Sequence, residues 1–291
     1  MADSFEATMG HKTHMSMVIT AGGAPVNTAL PMPVVSETLA KRQVLLERQG
    51  LRGVRGRDID DLAVGPHTVE GTIVLEPTSA ELVYLWFAAG IGTGVGVEPL
   101  PVVTLVIDRG VSVFTYASCK LSRLTLSSSQ GGLLQASCDF VALDESVGGA
   151  VAEPATALPM SHGNSTLVIG AVDPAPCLEY TFTVDNAVES GRFLMGLTIP
   201  EAVATDRRVT LSATLPYNAT NKALIDGNVA GVEAVLVIGD GTNTHEITMT
   251  KVAGGAETPA TGGRSEITIP INLTAYKDAA TTGEAQVVVG P

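Results

Sequence analysis

Residues 101–144 read PVVTLVIDRGVSVFTYASCKLSRLTLSSSQGGLLQASCDFVALD, and their alternation decides the fold class. Leu124 and Leu126, and beyond Gly131 and Gly132 also Leu134, Ala136, Cys138 and Phe140, fall on one side of a period of two. Thr125, Ser127, Gln135, Ser137 and Asp139 fall on the other. Successive side chains of a strand point to opposite faces of its sheet, so this is the pattern of a half-buried hairpin, with the glycine pair supplying the turn. The whole stretch reads as strand, short turn, strand and long hairpin.

Composition agrees with sheet. A chain of 291 residues, 45% of them hydrophobic, is long enough for two modest domains or one large β domain with an ample core. Only 4% of residues are aromatic, so Val, Leu, Ile and Ala must fill that core, and 31 Gly with 16 Pro cut the chain into short strands. Lys plus Arg number 17 against 30 Asp plus Glu, a net charge of -13. Phosphate binding draws on counterion release at basic surfaces, so this balance argues against a protein that wraps nucleic acid. The three cysteines, Cys119, Cys138 and Cys177, form no CxxC pair, which points to neither a disulfide framework nor a zinc site. They read as small core residues in a reducing compartment. Met1 to Gly10 carries Asp3 and Glu6 and lacks the basic start and apolar run of a secretory leader. The longest apolar stretch, Leu82 to Gly92, falls short of the about 20 residues that span a bilayer. The expectation is a soluble chain with no membrane partner.

Along the chain, residues 1–68 are expected to form an N-terminal arm and a basic loop. Pro25, Pro31 and Pro33 discourage regular structure up to residue 36, and ETLAKRQVLLERQ at 37–49 predicts a short helix ending at Gly50. Lys41, Arg42, Arg48, Arg52, Arg55 and Arg57 against Glu47 put +5 on residues 41–57 and leave -18 for the rest. A first β half at 69–146 contains one helix, at 78–90. There Pro77 and the Thr78-Ser79-Ala80-Glu81 box satisfy the first amides, and Leu82, Leu85, Trp86 and Ala89 share a face. Residues 147–160, rich in Pro, Ala and Gly, read as a linker to a second β half at 161–291. In that half TFTVDNA at 181–187 echoes TLVIDRG at 104–110, and Val209, Leu211, Ala213 and Leu215 alternate with Thr210, Ser212 and Thr214. Pro270 confines the strand from Ile267 to Thr274 to an edge or a bulge.

No catalytic or cofactor-binding pattern stands out. Gly90 to Gly96 has the glycine spacing of a phosphate loop, yet it follows a helix, opens none, and carries no Lys-Ser/Thr. His11 and His14 lack further ligands, His67, His162 and His245 stand singly near expected loops, and no Gly-x-Ser-x-Gly elbow is present. Asp144 with Glu145, and Asp58 with Asp60 and Asp61, lack the spacing of a calcium loop and read as solvated charge. Asp206, Arg207 and Arg208 are candidates for pairing across a subunit contact. The expectation is no enzyme, no cofactor and no metal.

Taken as wording rather than pattern, TLVIDRG, FTYASCKLSRLTL and QGGLLQASCDFVALDE resemble the central segment of the tail tube proteins of long-tailed bacteriophages. VEGTIVLEPTSAELVYLW at 69–86 resembles the segment before it, and TVDNAVESGRFLMGLTIPEAVATDRRVTLSATLPYN at 183–218 a later one. The resemblance implies a mainly β fold, a tail-tube-type β-sandwich with one short flanking α-helix, whose long hairpins form a shared barrel across subunits. It implies a structural virion protein that assembles into rings, usually of six in this family, stacked into the hollow tube through which the genome is delivered. The implied partners are further copies of the chain, the initiator, terminator and tape-measure proteins, and DNA in transit. Assembly is expected in the host bacterial cytoplasm and residence in the virion tail.

On that reading Thr125, Ser127, Gln135, Ser137 and Asp139 are the candidate lumen-facing residues, with a second lining hairpin from 192–215. A lumen of net negative charge lets phosphates slide past. Lys41, Arg42, Arg48, Arg52, Arg55 and Arg57 are the candidate ring-stacking residues, meeting an acidic face of the adjacent ring. Two alternatives stay open: another β-rich virion component, such as a baseplate tube initiator or a decoration protein, and a monomeric β-sandwich binding module. For the latter, one Trp, five Tyr and six Phe offer few aromatics.

Overall fold

The computed structural model describes residues 13–21, 24–25, 28–47, 62–91, 99–170, 172, 174–193, 196–197, 201–222, 224, 229–256, 259, 266–278 and 283–290. Among them are 17 strands and the helix α1 (Ser79–Ala88), so the fold is mainly β, as the alternation predicts. One strand organises the rest. β8 (Val113–Ser129) runs 17 residues, too long to stay straight, and bends where Ala117 and Ser118 together oppose Thr104. Ser118 takes a φ of 54° there, the backbone signature of a bulge that re-aims a strand.

The bend divides the pairing. Before it, β8 lies between β7 (Val102–Asp108) and β10 (Asp144–Val147). β7 continues to β1 (His14–Ala21), and β3 (Leu30–Pro33) covers the far edge of β1. After the bend, β8 lies between β9 (Gln135–Ala142) and β12 (Glu179–Asp185). On the β9 side the sheet continues through β6 (Leu62–Leu75) to β4 (Ser36–Glu37) and β5 (Ala40–Glu47). On the other it runs from β12 to β13 (Arg208–Pro216), β16 (Thr268–Tyr276), β15 (Thr244–Ala256), β14 (Val229–Gly239) and β11 (Ser161–Ile169). β17 (Gln286–Gly290) shares the β16 edge of β15. β11 returns to the β8–β9 turn through a bridge between Leu133 and Ser161, so the second sheet wraps round an interior. Leu126, Phe182, Leu211, Ile271, Met249, Leu236 and Leu167 all fill it, each at most 2% exposed.

Helix α1 is fixed locally at both ends. Thr78 Oγ1 accepts from the Glu81 amide at 3.4 Å and Glu81 Oε2 accepts from the Thr78 amide at 2.8 Å, the reciprocal box that the sequence contains. At the other end Gly90 takes a φ of 76°, so its amide reaches Phe87 O and that of Ile91 reaches Trp86 O. Leu82, Leu85, Trp86 and Ala88 are buried, and Trp86 meets Phe182 edge-on at 6.0 Å between ring centres.

The echo between 104–110 and 181–187 has a local cause. Asp108 Oδ1 accepts from the Gly110 amide and Asp185 Oδ1 from the Ala187 amide, and both third residues have positive φ, 81° and 44°. Each segment is a strand closed by the same aspartate turn, and each pairs with β8. Pro270 stands one residue beyond Ile271, the last residue of β16 that β15 pairs with, so its missing N–H costs no ladder bond there.

Three expectations are corrected. The helix expected at 37–49 is strand β5, because β6 offers it an edge and long-range pairing outweighs helix propensities of a few tenths of a kcal/mol per residue. Residues before 36 are not all arm: β1 buries Met15, Met17 and Ile19 against β7, and Pro31 and Pro33 are tolerated on β3, which lies outermost on that side among the described residues. Of the lining hairpin expected at 192–215, the described residues include β13, and residues 194, 195 and 198–200 lie outside them. His67 and His245 lie in strands rather than loops, and both are buried.

Candidate functional site

The candidate lumen residues Thr125, Ser127, Gln135, Ser137 and Asp139 stand on one face of the β8–β9 hairpin, partly or fully exposed, with Leu124, Leu126, Ala136 and Cys138 buried behind them. The strand register extends that face well beyond the hairpin. Val74, Ser137, Thr125, Thr183, Thr210 and Thr274 oppose one another in a row across β6, β9, β8, β12, β13 and β16. A parallel row runs Gln135, Ser127, Thr181, Ser212 and Asn272. The result is a carpet of short hydroxyl and amide side chains over six strands.

A third row carries charge of alternating sign: Thr72, Asp139, Arg123, Asp185 and Arg208. Thr72 Oγ1 donates to Asp139 Oδ1 at 2.6 Å, and the Arg123 guanidinium donates twice to Asp185 Oδ2, at 3.1 and 2.7 Å. Glu179 closes the far end, accepting from Thr214 Oγ1 at 2.8 Å. Asp139 and Asp185 face Arg123, and Asp185 also faces Arg208, so the arginines stand beside carboxylates rather than as a basic patch.

The second feature is a projecting ribbon. β6 pairs with β9 only over Val69 to Leu75; its first half, from Leu62 to Thr68, has β5 as its strand partner, and the His67 amide also donates to Leu197 O at 2.9 Å. Val44, Leu45, Leu46, Leu62 and Val64 are 42–61% exposed on it.

Its root is held from two sides. Arg109 Nε and Nη2 donate to Glu37 Oε1 and Oε2 at 2.6 and 3.0 Å, and Nη2 also reaches Leu39 O at 2.7 Å and Tyr116 Oη at 3.0 Å. Burial pushes the Tyr116 phenol above its ordinary range, so it stays protonated and donates to Leu39 O at 3.0 Å. Opposite, Lys41 Nζ donates to Asp144 Oδ1 at 2.8 Å, which holds that carboxyl below its ordinary pKa, and His67 Nε2 lies 3.4 Å from the same oxygen. Between them the backbone at Thr38 and Leu39 crosses Gly71 so closely that a Cβ would stand 2.5 Å from Leu39 Cα.

Of the candidate stacking residues, Lys41 is thus engaged within its own chain and Arg42 is exposed opposite Thr68. Arg48, Arg52, Arg55 and Arg57 lie outside the described residues. Arg207, expected at a subunit contact, pairs within the chain with Glu284 at 2.7 Å and donates to Gly90 O at 3.2 Å. The sequence pointed to the β8–β9 part of the polar face and, through 192–215, to β13, but not to its continuation on β12 and β16. The Thr and Ser alternation in β12, β13 and β16 was the available signal, and only the register joins it to Thr125.

Among the described residues no group of three or more His, Cys, Asp or Glu side chains is placed to hold a metal ion, and no helix is long and apolar enough to cross a membrane. The described residues are mainly strand, with a hydroxyl-rich sheet face and an apolar projecting ribbon. No curated protein matches it. The family model described as phage tail tube protein matches residues 5–275, and the chain belongs to that family. It is a structural protein of a phage tail, resident in the virion, and membership implies self-assembly into a tube and contact with other tail proteins.

Proposed function

We propose that the chain forms rings of six that stack into a hollow conduit for the genome, with the Ser/Thr face of β6, β9, β8, β12, β13 and β16 turned to the lumen. The observation that carries this reading is the continuity of that face across six strands, with no lysine in the three rows from Gln135 to Asp139; Lys120, one row further along β8, is buried. DNA held at a surface releases counterions in proportion to the cations that meet its phosphates. Here Arg123 is bonded to Asp185, and Arg208 opposes the same aspartate in register. Three carboxylates against two guanidiniums leave the face slightly negative. Hydroxyls keep it wetted without gripping the polymer that moves through it.

Initiator, terminator and tape-measure proteins are the partners this reading requires, and assembly takes place in the host cytoplasm. The basic segment from Lys41 to Arg57 meets the neighbouring ring. Cryo-electron microscopy of the assembled protein tests the reading. The expected map has six-fold rings, stacked, with Thr125, Thr183 and Thr210 at the inner wall. A basic inner wall, another face turned inward, or closed rings that never stack would overturn it.

A further inference from the structure

We propose that Asp185 is the residue that keeps DNA from sticking to the conduit wall: its carboxylate completes a belt of alternating charge whose field dies out within a few ångströms of the sheet. The inference rests on the lumen reading and names the group on that face that sets its response to nucleic acid. The belt is the row Asp139, Arg123, Asp185 and Arg208, one charge on each of the neighbouring strands β9, β8, β12 and β13. Two carboxylates meet two guanidiniums, so the row sums to zero. Arg123 and Arg208 are exposed, and between them Asp185 Oδ2 accepts both Arg123 bonds. The same carboxyl is held in place through Oδ1, which accepts from the Ala187 amide at 3.0 Å.

A hollow of about 340 Å³ opens at this point, lined by Arg123, Asp185, Arg208, Thr125, Thr183 and Thr210. Without the carboxylate it would present two guanidiniums and three hydroxyls, the groups that hold phosphate oxygens. The two rows on one side of the belt carry no charge, and Glu179 stands beyond them. On the other side Glu70 and the buried Lys120 share a row, and Lys120 Nζ lies 3.9 Å from Glu201 Oε1.

Spacing decides how far the belt is felt. Neighbouring strands lie about 4.8 Å apart, so the sign repeats every roughly 10 Å along the row. The potential of alternating charges falls by a factor of e over that repeat divided by 2π, about 1.5 Å, which leaves roughly 4% of it at about 5 Å from the wall. An unbalanced charge is screened only over the Debye length of about 8 Å, and keeps roughly half of its potential at the same distance. A phosphate thus meets the alternating wall only on contact. Loss of the Asp185 charge leaves two guanidiniums against one carboxylate, +1 in each subunit, and releases the Arg123 fork from its bonds. Counterion release then favours DNA at the wall.

The test uses full-length chains assembled into tubes and a short fluorescent duplex DNA, sedimented together at low salt. Asp185→Asn keeps an acceptor for the Ala187 amide and removes the charge. Its tubes should retain at least about tenfold more DNA than the parent's, with a log–log salt slope steeper by about 0.9 for each phosphate met. Adding Arg208→Gln returns the belt to zero, and retention should fall back to the parent level. Asp139→Asn removes the belt's other carboxylate while leaving Thr72 Oγ1 an acceptor, and should retain DNA likewise. If one single variant fails to assemble, the other decides. Single-variant tubes that shed DNA like the parent, or a double variant that still holds it, overturn the role of Asp185 and leave the tube reading intact. Cryo-electron microscopy of the parent tubes locates residue 185, and a position away from the inner wall overturns the lumen reading and this proposal together.

Discussion

His245 lies at 0% exposure between the helix and the sheet, and acid should undo that junction in a calculable way. The Trp86 indole N–H is a donor only, so His245 Nδ1 accepts it at 3.1 Å and the ring proton sits on Nε2, 2.9 Å from Ser79 Oγ. The Trp86 bond needs the neutral ring, and burial pushes its pKa down from 6.5 to about 4, with Ser79 and Asp240 opposing only in part. The unfolded chain therefore takes up a proton below pH 6.5 that the folded chain refuses until about pH 4. Stability from this group is complete above pH 6.5 and is lost as pH falls toward 4. The slope is roughly 1.4 kcal/mol per pH unit, giving a loss of about 1.4 kcal/mol by pH 5.5 and at most about 2.5 kcal/mol by pH 4.5. His245→Gln keeps an acceptor for Trp86 and a donor for Ser79 but does not titrate. Urea unfolding of parent and variant, followed by the fluorescence of the chain's one Trp below the assembly concentration, isolates the histidine. Asp144 and Asp240, whose carboxyls are held below their ordinary pKa by Lys41 and by Asn243, lose their share equally in both chains. Parallel pH profiles for the two would refute the reasoning.

Gly71→Ala should destabilise the subunit by at least about 2 kcal/mol, because the added carbon meets backbone at Leu39 and Thr38 rather than a movable side chain; an unchanged denaturation midpoint would contradict the close crossing. Arg109→Lys keeps the charge yet loses the two-pronged grip on Glu37 and the bond to Leu39 O, with an expected cost of about 1–3 kcal/mol. Its distinguishing readout is faster hydrogen exchange of the β5–β6 amides, and unchanged exchange would separate the clamp from the ribbon. Thr125→Lys combined with Thr183→Lys should leave monomer stability within about 0.5 kcal/mol, both sites being only partly buried. Assembled tubes of that variant should retain DNA at low salt and release it as salt rises; a variant that passes DNA like the parent would argue against a lumen at that face.

What the sequence made legible is what neighbours along the chain decide. Thr78 and Glu81 are three residues apart and cap each other, and Leu124 to Phe140 form a hairpin whose partners flank one turn. Strand β5 was illegible because its residues favour helix, its partner lies beyond residues 48–61, and a strand exposed at every position from Lys41 to Glu47 has no reason to alternate. β1 did alternate, Met15, Met17 and Ile19 against Ser16, Val18 and Thr20, but the prolines after it masked the period. His245 shares parity with Ile247 and Met249, so its burial was available to a reader who followed the period through a polar residue. That these polar strands join into one face was not available. That Thr125 opposes Thr183, and Thr183 opposes Thr210, is a statement of register between strands dozens of residues apart.

β8 pairs with β7 and β10 before Ser118 and with β9 and β12 after it. The two sheets are thus joined by covalent backbone, where two separately packed sheets would be joined by side-chain contact alone. A pull on β1 and β7 passes along one extended strand into the Ser/Thr face. For one sheet to slide across the other, ladder bonds on both flanks of β8 must shear together instead of opening one at a time. In a tail tube under load, that continuity makes each subunit resist shear between its two sheets.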